Sequence, residues 1–433
     1  MPNNISVVIL AAGKGTRMHS STPKVLHTIS GKQMLYYSIR SAKELSDDVI
    51  VVVAHQKEAV IDAMSRHFDD LTFVEQDTIN YAGTGGALRD VKPKYERVLV
   101  LNGDMPLVDP ASLKGFVQSS SSVVMSYFEL DDPSGYGRVI IGGGGVKKIV
   151  EQKDASADEL GIKSVNAGVY MFATSLLQKY IPLLSNNNAQ GEYYLTDLIS
   201  MAVDDGIKVE PLEVSKTHFR GVNSKLDLGV AEEIMQEMIR SRLMTQGVSM
   251  QLPSTIYIED GVVFEGECML ENGVRITSGS KIVSSHIKAH SVIEDSIIIN
   301  SDIGPLAHIR PASHIENSHI GNFVEVKKSH LDGVKAGHLS YIGDAKVGSG
   351  TNIGAGVITC NYDGKAKHKT TIGKNVFIGS DSQLVAPIVV EDDVMIAAGT
   401  TVTSGTIKSG SLALSRVKLE QKEGFFHRFF RKP

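Results

Sequence analysis

The chain has 433 residues, 42% of them hydrophobic, which is enough for two or three domains with cores of their own. A formal net charge of −5 leaves no large basic domain and argues against a nucleic-acid partner, while Cys268 and Cys360 are too few and too far apart for a disulfide or zinc framework. No run approaches the roughly 18 apolar residues of a membrane span, and no basic stretch precedes a short apolar one at the start, so a cytoplasmic protein with small-molecule substrates is expected.

Residues 5–10 are apolar without alternation, the pattern of a strand buried on both faces of a parallel sheet. The run stops at Ala11-Ala12-Gly13-Lys14-Gly15-Thr16-Arg17-Met18, with Pro23-Lys24 following. Gly13 and Gly15 let backbone amides curl around an anion, and Lys14, Arg17 and Lys24 bring positive charge to the same point, as a triphosphate requires. A Walker loop on Gly13-Lys14 would need glycine at Val8 and Ser or Thr at Gly15, and a dinucleotide fingerprint would need glycine at Met18, so both are excluded. A lone G-x-G is commonly an ordinary turn. The whole run from Leu10 to Met18 with Pro23-Lys24, however, resembles the signature of sugar-1-phosphate nucleotidyltransferases. That resemblance implies nucleotide contacts from Leu10, Ala11, Ala12, Gly13 and Gly15, and catalytic charge from Arg17 and Lys24.

Further strands over 49–53 and 98–101, with helices near 34–45 and 57–67, predict a Rossmann-like α/β domain over residues 1–224. Asp104, in Leu101-Asn102-Gly103-Asp104-Met105-Pro106-Leu107, follows a strand at the carboxyl edge of the sheet, where ligands of open α/β sheets bind. An aspartate there is by itself a common turn residue. The resemblance makes it a Mg²⁺ ligand together with Asn223, and places Asn102 and Gly103 beside the nucleotide. It also implies base recognition by Gly83 and Thr84 and sugar binding by Gly137, Glu151 and Asn166. In relatives of this kind a glutamine that meets the uracil stands about five residues before the G-T-G turn. Here Gln76 stands seven before Gly83 and Thr78 holds the matching place, which leaves the base contact open.

Leu226, Val230, Ile234, Met238 and Leu243 recur through a charged stretch that Gly247 stops, predicting an amphipathic linker helix within residues 225–250. Beyond it the period changes. Ile297, Ile303, Ile309 and Ile315 lie six apart, as do Ile372, Ile378, Leu384, Val390, Ile396 and Val402. A six-residue apolar repeat fits neither a helix nor a hairpin, and predicts a parallel β-helix of hexapeptide repeats over residues 251–433, which the family resemblance given below implies is left-handed. The repeat breaks at 327–341 and at 359–368, and insertions in a solenoid map to surface loops where function collects.

Those two breaks hold Lys335-Ala336-Gly337-His338-Leu339-Ser340-Tyr341 and Cys360-Asn361-Tyr362-Asp363-Gly364. Together with the N-terminal motifs they resemble the family of bifunctional bacterial N-acetylglucosamine-1-phosphate uridylyltransferase/glucosamine-1-phosphate N-acetyltransferases, over nearly the whole chain. An imidazole titrates close enough to neutrality to take a proton from an attacking amine, so His338 is the candidate general base. The resemblance further implies that Arg310, Lys327, Tyr341, Asn352 and Lys365 hold the amino-sugar phosphate, and that Asn361, Tyr362, Ser380, Ala398 and Arg416 meet acetyl-CoA. It implies UTP and acetyl-CoA as co-substrates, Mg²⁺ as cofactor, UDP-N-acetylglucosamine as product and a homotrimer whose acetyltransferase sites lie between subunits. The basic aromatic tail, residues 425–432, is either a cover for a neighbouring site or disordered. Two alternatives are a single-activity nucleotidyltransferase with a regulatory β-helix and a non-catalytic scaffold. The coexistence of Arg17, Lys24 and Asp104 disfavours the scaffold.

Overall fold

The computed structural model describes residues 4–403, 405–416 and 418–430. They divide into two compact units, Met1–Met235 and Gln236–Pro433.

The first unit is built on a mixed sheet in the order Val209–Glu213, Val123–Glu129, Ser164–Ala173, Arg97–Asn102, Ser6–Leu10, Asp48–Val53, Thr72–Glu75. Ser6–Leu10 lies between two parallel neighbours, with Val8 beside Ile50 on one side and Val100 on the other. Val7, Val8 and Ile9 are fully buried, which is why the run carries no polar alternation. Helices Met34–Leu45 and Lys57–Ser65 fall where the periodicity puts them. The sheet is not wholly parallel. Ser164–Ala173 runs antiparallel to both Arg97–Asn102 and Val123–Glu129, and the hairpin Arg138–Gly142/Gly145–Val150 attaches to it.

The helix Lys225–Thr245 is present, but of its expected stripe only Leu243 is buried. Ala231, Met235, Ile239 and Leu243 are buried at a strict four-residue spacing, whereas Leu226 is 76% exposed. The inner face lies one residue along from Val230, Ile234 and Met238, because alanine at 231 was too small to stand out in an apolar count. Ser224 caps this helix. Its hydroxyl accepts from Asp227 N at 3.1 Å while the Asp227 carboxylate accepts from Ser224 N at 3.0 Å, a reciprocal capping box.

The second unit is a parallel β-helix. Among the described residues each strand pairs with the third one after it until the ladders end, so three long ladders of short parallel strands run side by side. One ladder stacks Ile282, Ile298, Ile315 and Leu331 in register, all fully buried. Corner serines link successive coils: Ser301 N donates to Ser285 Oγ, Ser318 N to Ser301 Oγ and Val334 N to Ser318 Oγ, at 3.0, 3.1 and 2.9 Å. These hydroxyls satisfy buried amides that the short strands leave over.

Two expectations for the repeat need correcting. Ile297 faces outward and Ile298 fills the interior, since the step to Ile303 is a five-residue one. Residues 327–341 are likewise no insertion. His330–Asp332 and Lys335–His338 continue the ladders, and Leu331 and Ala336 occupy interior positions that five-residue corners supply. The second break is real: Val347 pairs with Ile372, and the extra residues leave the coil as a loop closed by a bridge between Tyr362 and Lys367.

Candidate active sites in the two units

In the first unit a cleft of about 710 Å³ opens at the carboxyl edge of the sheet. Leu10, Ala11, Ala12, Gly13 and Gly15 form one wall; Gln76, Gly83 and Thr84 another; Asn102, Asp104, Asn166 and Asn223 close it. Gly15 sits at φ +62°, and a Cβ there would stand 2.5 Å from Lys24 Cβ, so glycine lets the loop lie against the lysine. The Lys24 ammonium is hydrogen-bonded to Asp104 Oδ2 and lies 3.2 Å from Asn223 Oδ1. One cation therefore bridges the two oxygens. Asp104 and Asn223 are brought together by Val222 N, which donates to Asp104 O at 2.9 Å, and by Asp227, which accepts from Asn223 N at 3.2 Å.

The two extra residues before the G-T-G turn leave Gln76 within reach of it. Asp77 accepts from the amides of Ile79 and Asn80 at 3.1 and 3.0 Å, and the segment bulges outward with Ile79 92% exposed. Gln76 itself is buried, and its Nε2 donates to Tyr81 O and Gly83 O at 2.9 and 2.8 Å. Those bonds commit the amide nitrogen to the turn and fix the side chain at the cleft wall. Gly83 is at φ +101°, where a Cβ would meet Tyr193 O at 2.5 Å. Thr84 Oγ1 accepts from Leu195 N at 3.1 Å.

Gly137, Glu151 and Asn166 converge. Asn166 N donates to Gly137 O at 2.9 Å, and a Cβ on Gly137 would touch the Glu151 carboxylate at 3.3 Å. Burial pushes the Glu151 carboxyl above its ordinary range; the Thr196 hydroxyl opposes this, and Asp154 and Asp197 add repulsion. Gly103 is packed against Leu10 O and Leu35 behind the wall. Arg17 is exposed on the short turn Thr16–Met18 and does not line the cleft.

In the second unit, register gathers the expected residues on one corner and one face of the β-helix. Ala336, Ile353, Ile378 and Ile396 are successive partners, so His338, Ala355, Ser380 and Ala398, each two residues on, follow one another along the same edge. Cross-coil bonds hold that edge: Gly356 N to Leu339 O, Asp381 N to Ala355 O and Gly399 N to Ser380 O, at 3.0, 2.8 and 2.8 Å. Arg416 reaches Ala398 O at 3.4 Å. His338 is exposed at the end of its strand, and Tyr341 begins the next strand beyond the corner.

On that next face Arg310 pairs with Lys327, and Glu325 with Tyr341. Arg310 Nη1 is 2.7 Å from Glu325 Oε1. Asn361 Nδ2 donates to Asp344 Oδ2 at 2.5 Å and lies 3.4 Å from the Tyr341 hydroxyl, which ties the inserted loop to this face. Within the loop Asp363 accepts from the amides of Lys365 and Ala366 and from the His368 ring, and these bonds hold its carboxyl well below the usual range. Tyr362 stands under the Lys367 ammonium. Asn352 lies on the His338 ladder, beside Lys335.

Residues 7–136 match the model of the MobA-like NTP transferase domain, and residues 369–404 that of the bacterial transferase hexapeptide repeat. The bifunctional protein GlmU of Sulfurimonas denitrificans is 67% identical over 99% of both chains. That of Wolinella succinogenes is 60% identical over 99% of both chains. The chain belongs to the bifunctional GlmU family. Among solved structures, the inositol-1-phosphate CTP transferase from T. maritima aligns over 52% of this chain and 92% of its own, at 18% identity and a TM-score of 0.43.

In this GlmU family member several walls of the cleft come from outside the sequence motifs: Glu192, Phe219, Gly168 and Gly221 also line it. Gly168 had a physical requirement but no local signature. It sits at φ +76°, where a Cβ would meet Asn102 Nδ2 at 2.7 Å. Asp227 has a legible signal, the Ser224-x-x-Asp227 cap before a helix.

Proposed function

We propose that the GlmU-family activity is divided between the two units as follows. The protein makes UDP-N-acetylglucosamine: acetyl-CoA acetylates glucosamine 1-phosphate at the β-helix, and UTP then uridylates the product at the N-terminal cleft, releasing pyrophosphate.

In the β-helix unit His338 takes the proton from the sugar amine as its nitrogen attacks the thioester carbonyl; the C–S bond breaks and CoA leaves. Arg310, Lys327, Tyr341, Asn352 and Lys365 hold the sugar phosphate. Asn361, Tyr362, Ser380, Ala398 and Arg416 line the acetyl-CoA path, where the small side chains of Ala355, Ser380 and Ala398 leave room along the edge. Three chains form the assembly, a homotrimer.

In the cleft a phosphate oxygen of the sugar attacks the α-phosphorus of UTP and the α–β anhydride bond breaks. Lys24 neutralises charge at the transferred phosphorus; Leu10, Ala11, Ala12, Gly13 and Gly15 offer backbone to the phosphates, with Arg17 supplying charge from the same turn. Gln76, Gly83 and Thr84 meet the base. Asn102 and Gly103 flank the nucleotide. Gly137, Glu151 and Asn166 hold the sugar.

Asp104 and Asn223 would hold Mg²⁺. The fit rests on chemistry visible in the fold: two hard oxygen donors already share one cation, the Lys24 ammonium. Bound there, Mg²⁺ supplies charge neutralisation for phosphate oxygens. That bridged oxygen pair, at the mouth of the glycine turn, is the observation that carries the assignment.

The test is a single tube: thiol release from acetyl-CoA with glucosamine 1-phosphate, then pyrophosphate release on adding UTP and Mg²⁺. Both signals in that order are expected. Pyrophosphate from pre-acetylated sugar phosphate without any thiol release would overturn the assignment of the β-helix unit.

A further inference from the structure

Gln76 lines the cleft with only one end of its amide open to a ligand. Its Nε2 donates to Tyr81 O at 2.9 Å and to Gly83 O at 2.8 Å, which uses both amide protons. What remains is Oε1, an acceptor, which takes a bond from no group among the described residues. Turning the amide over would set that oxygen against two carbonyl oxygens and leave both of them unpaired. The side chain is therefore held as an acceptor.

Half of this lock comes from the lengthened segment. Tyr81 does not line the cleft. Its ring meets the Arg89 guanidinium, 3.9 Å from the ring centroid, and the Tyr193 ring, 5.6 Å between centroids. Tyr193 in turn is bonded into the same wall: its N donates to Ala82 O, and its O accepts from Gly85 N, both at 2.8 Å. The backbone of Tyr81 is fixed as well, since its N donates to Asp77 O at 2.9 Å and a Cβ on Gly86 would stand 2.0 Å from its carbonyl oxygen. The carbonyl that orients Gln76 is thus placed by ring contacts outside the cleft.

That orientation bears on which pyrimidine the wall accepts. Uracil carries a proton on N3, where cytosine carries a lone pair. A locked acceptor suits the first and repels the second, whereas an amide able to turn could offer its nitrogen to cytosine. We propose that Tyr81 is a positioning residue for nucleotide selectivity: its carbonyl keeps Gln76 Oε1 turned to the base, so that UTP is preferred to CTP, and Arg89 steadies its ring from outside. This rests on the reading that Gln76, Gly83 and Thr84 meet the base.

The test is steady-state pyrophosphate release by the full-length protein with N-acetylglucosamine 1-phosphate and Mg²⁺, comparing kcat/KM for UTP and for CTP. The natural protein is expected to prefer UTP. In Tyr81→Ala the preference should fall at least about tenfold, through a higher KM for UTP with its kcat kept within about twofold, and Tyr81→Phe, which keeps the ring, should restore it. Arg89→Ala, at an exposed position, should shift the ratio the same way by less, and it carries the test if Tyr81→Ala does not fold. An unchanged ratio in these variants, or equal losses with both nucleotides, would overturn the proposal and leave the base site standing. So would equal use of UTP and CTP by the natural protein. No pyrophosphate from either nucleotide would instead overturn the cleft reading itself, and this proposal with it.

Discussion

Asp104 is set in place by a short chain of contacts. Lys24 reaches it across the glycine turn, Asn223 is delivered by Val222, and Asp227 fixes Asn223 from the start of the next helix. Asp104→Ala should lower uridylyl transfer at least about 10²-fold while acetyl transfer is unchanged; a parallel loss of acetylation in the folded variant would sink the separation of sites. His338→Ala should do the reverse, lowering acetylation by about 10²–10⁴-fold, and unchanged thiol release would make His338 structural. Glu151 gives a pH-dependent test. Its pKa is raised by burial, so ionising it in the folded state costs stability: its contribution is fully present below the ordinary value of 4.5 and is lost as pH rises through the raised value. Denaturation midpoints at about pH 4 and pH 8 should therefore show Glu151→Gln gaining on the natural protein at the higher pH, and a constant difference would contradict the burial argument. At this scale the motifs were legible because glycine, proline and charge at fixed spacing are local features. Glu192 and Phe219 were not, because the chain brings them to the cleft from segments that carry no motif.

At the scale of elements, the six-residue repeat announced the β-helix, yet the interior positions could be misread by one. Corners of five and six residues alternate irregularly, and where isoleucines are consecutive, as at Ile297 to Ile299, composition cannot say which of them turns inward. The linker helix failed in the same way, its inner face being marked by Ala231 and Met235 instead of the more conspicuous Leu226. The inserted loop shows how one coil tolerates extra chain. Thr359 takes an interior place between Ile342 and Leu384, and its hydroxyl accepts from Gly343 N at 2.7 Å. Thr359→Val should cost about 1–3 kcal/mol by leaving that buried amide unpaired, seen as a lower Tm with acetyl transfer reduced more than uridylyl transfer. An unchanged Tm would mean that another acceptor replaces the hydroxyl.

For the whole molecule, the two-part organisation was readable from the change of period after residue 250, since a sheet-and-helix alternation and a six-residue repeat cannot share one core. The mixed pairing of the first sheet was not readable. The half of Ser164–Ala173 over residues 169–173 is apolar on both faces like its neighbours, and strand direction leaves no mark in composition. A light-scattering mass three times that of one chain is expected in solution, and a monomer with full acetyl transfer would overturn the trimer. The two units should also come apart differently under denaturant. In the first, each central strand is held on both sides, so the sheet melts as a block; in the second, each coil leans only on the coil before and the coil after it. Among the described residues the end coil, with Gly405–Ile407 and Leu412–Ala413, pairs with a coil on one side only. Amide exchange should therefore run as a gradient along the solenoid, fastest at its C-terminal end, and the edge that carries Ala398 and Arg416 would be the first part of the molecule to breathe.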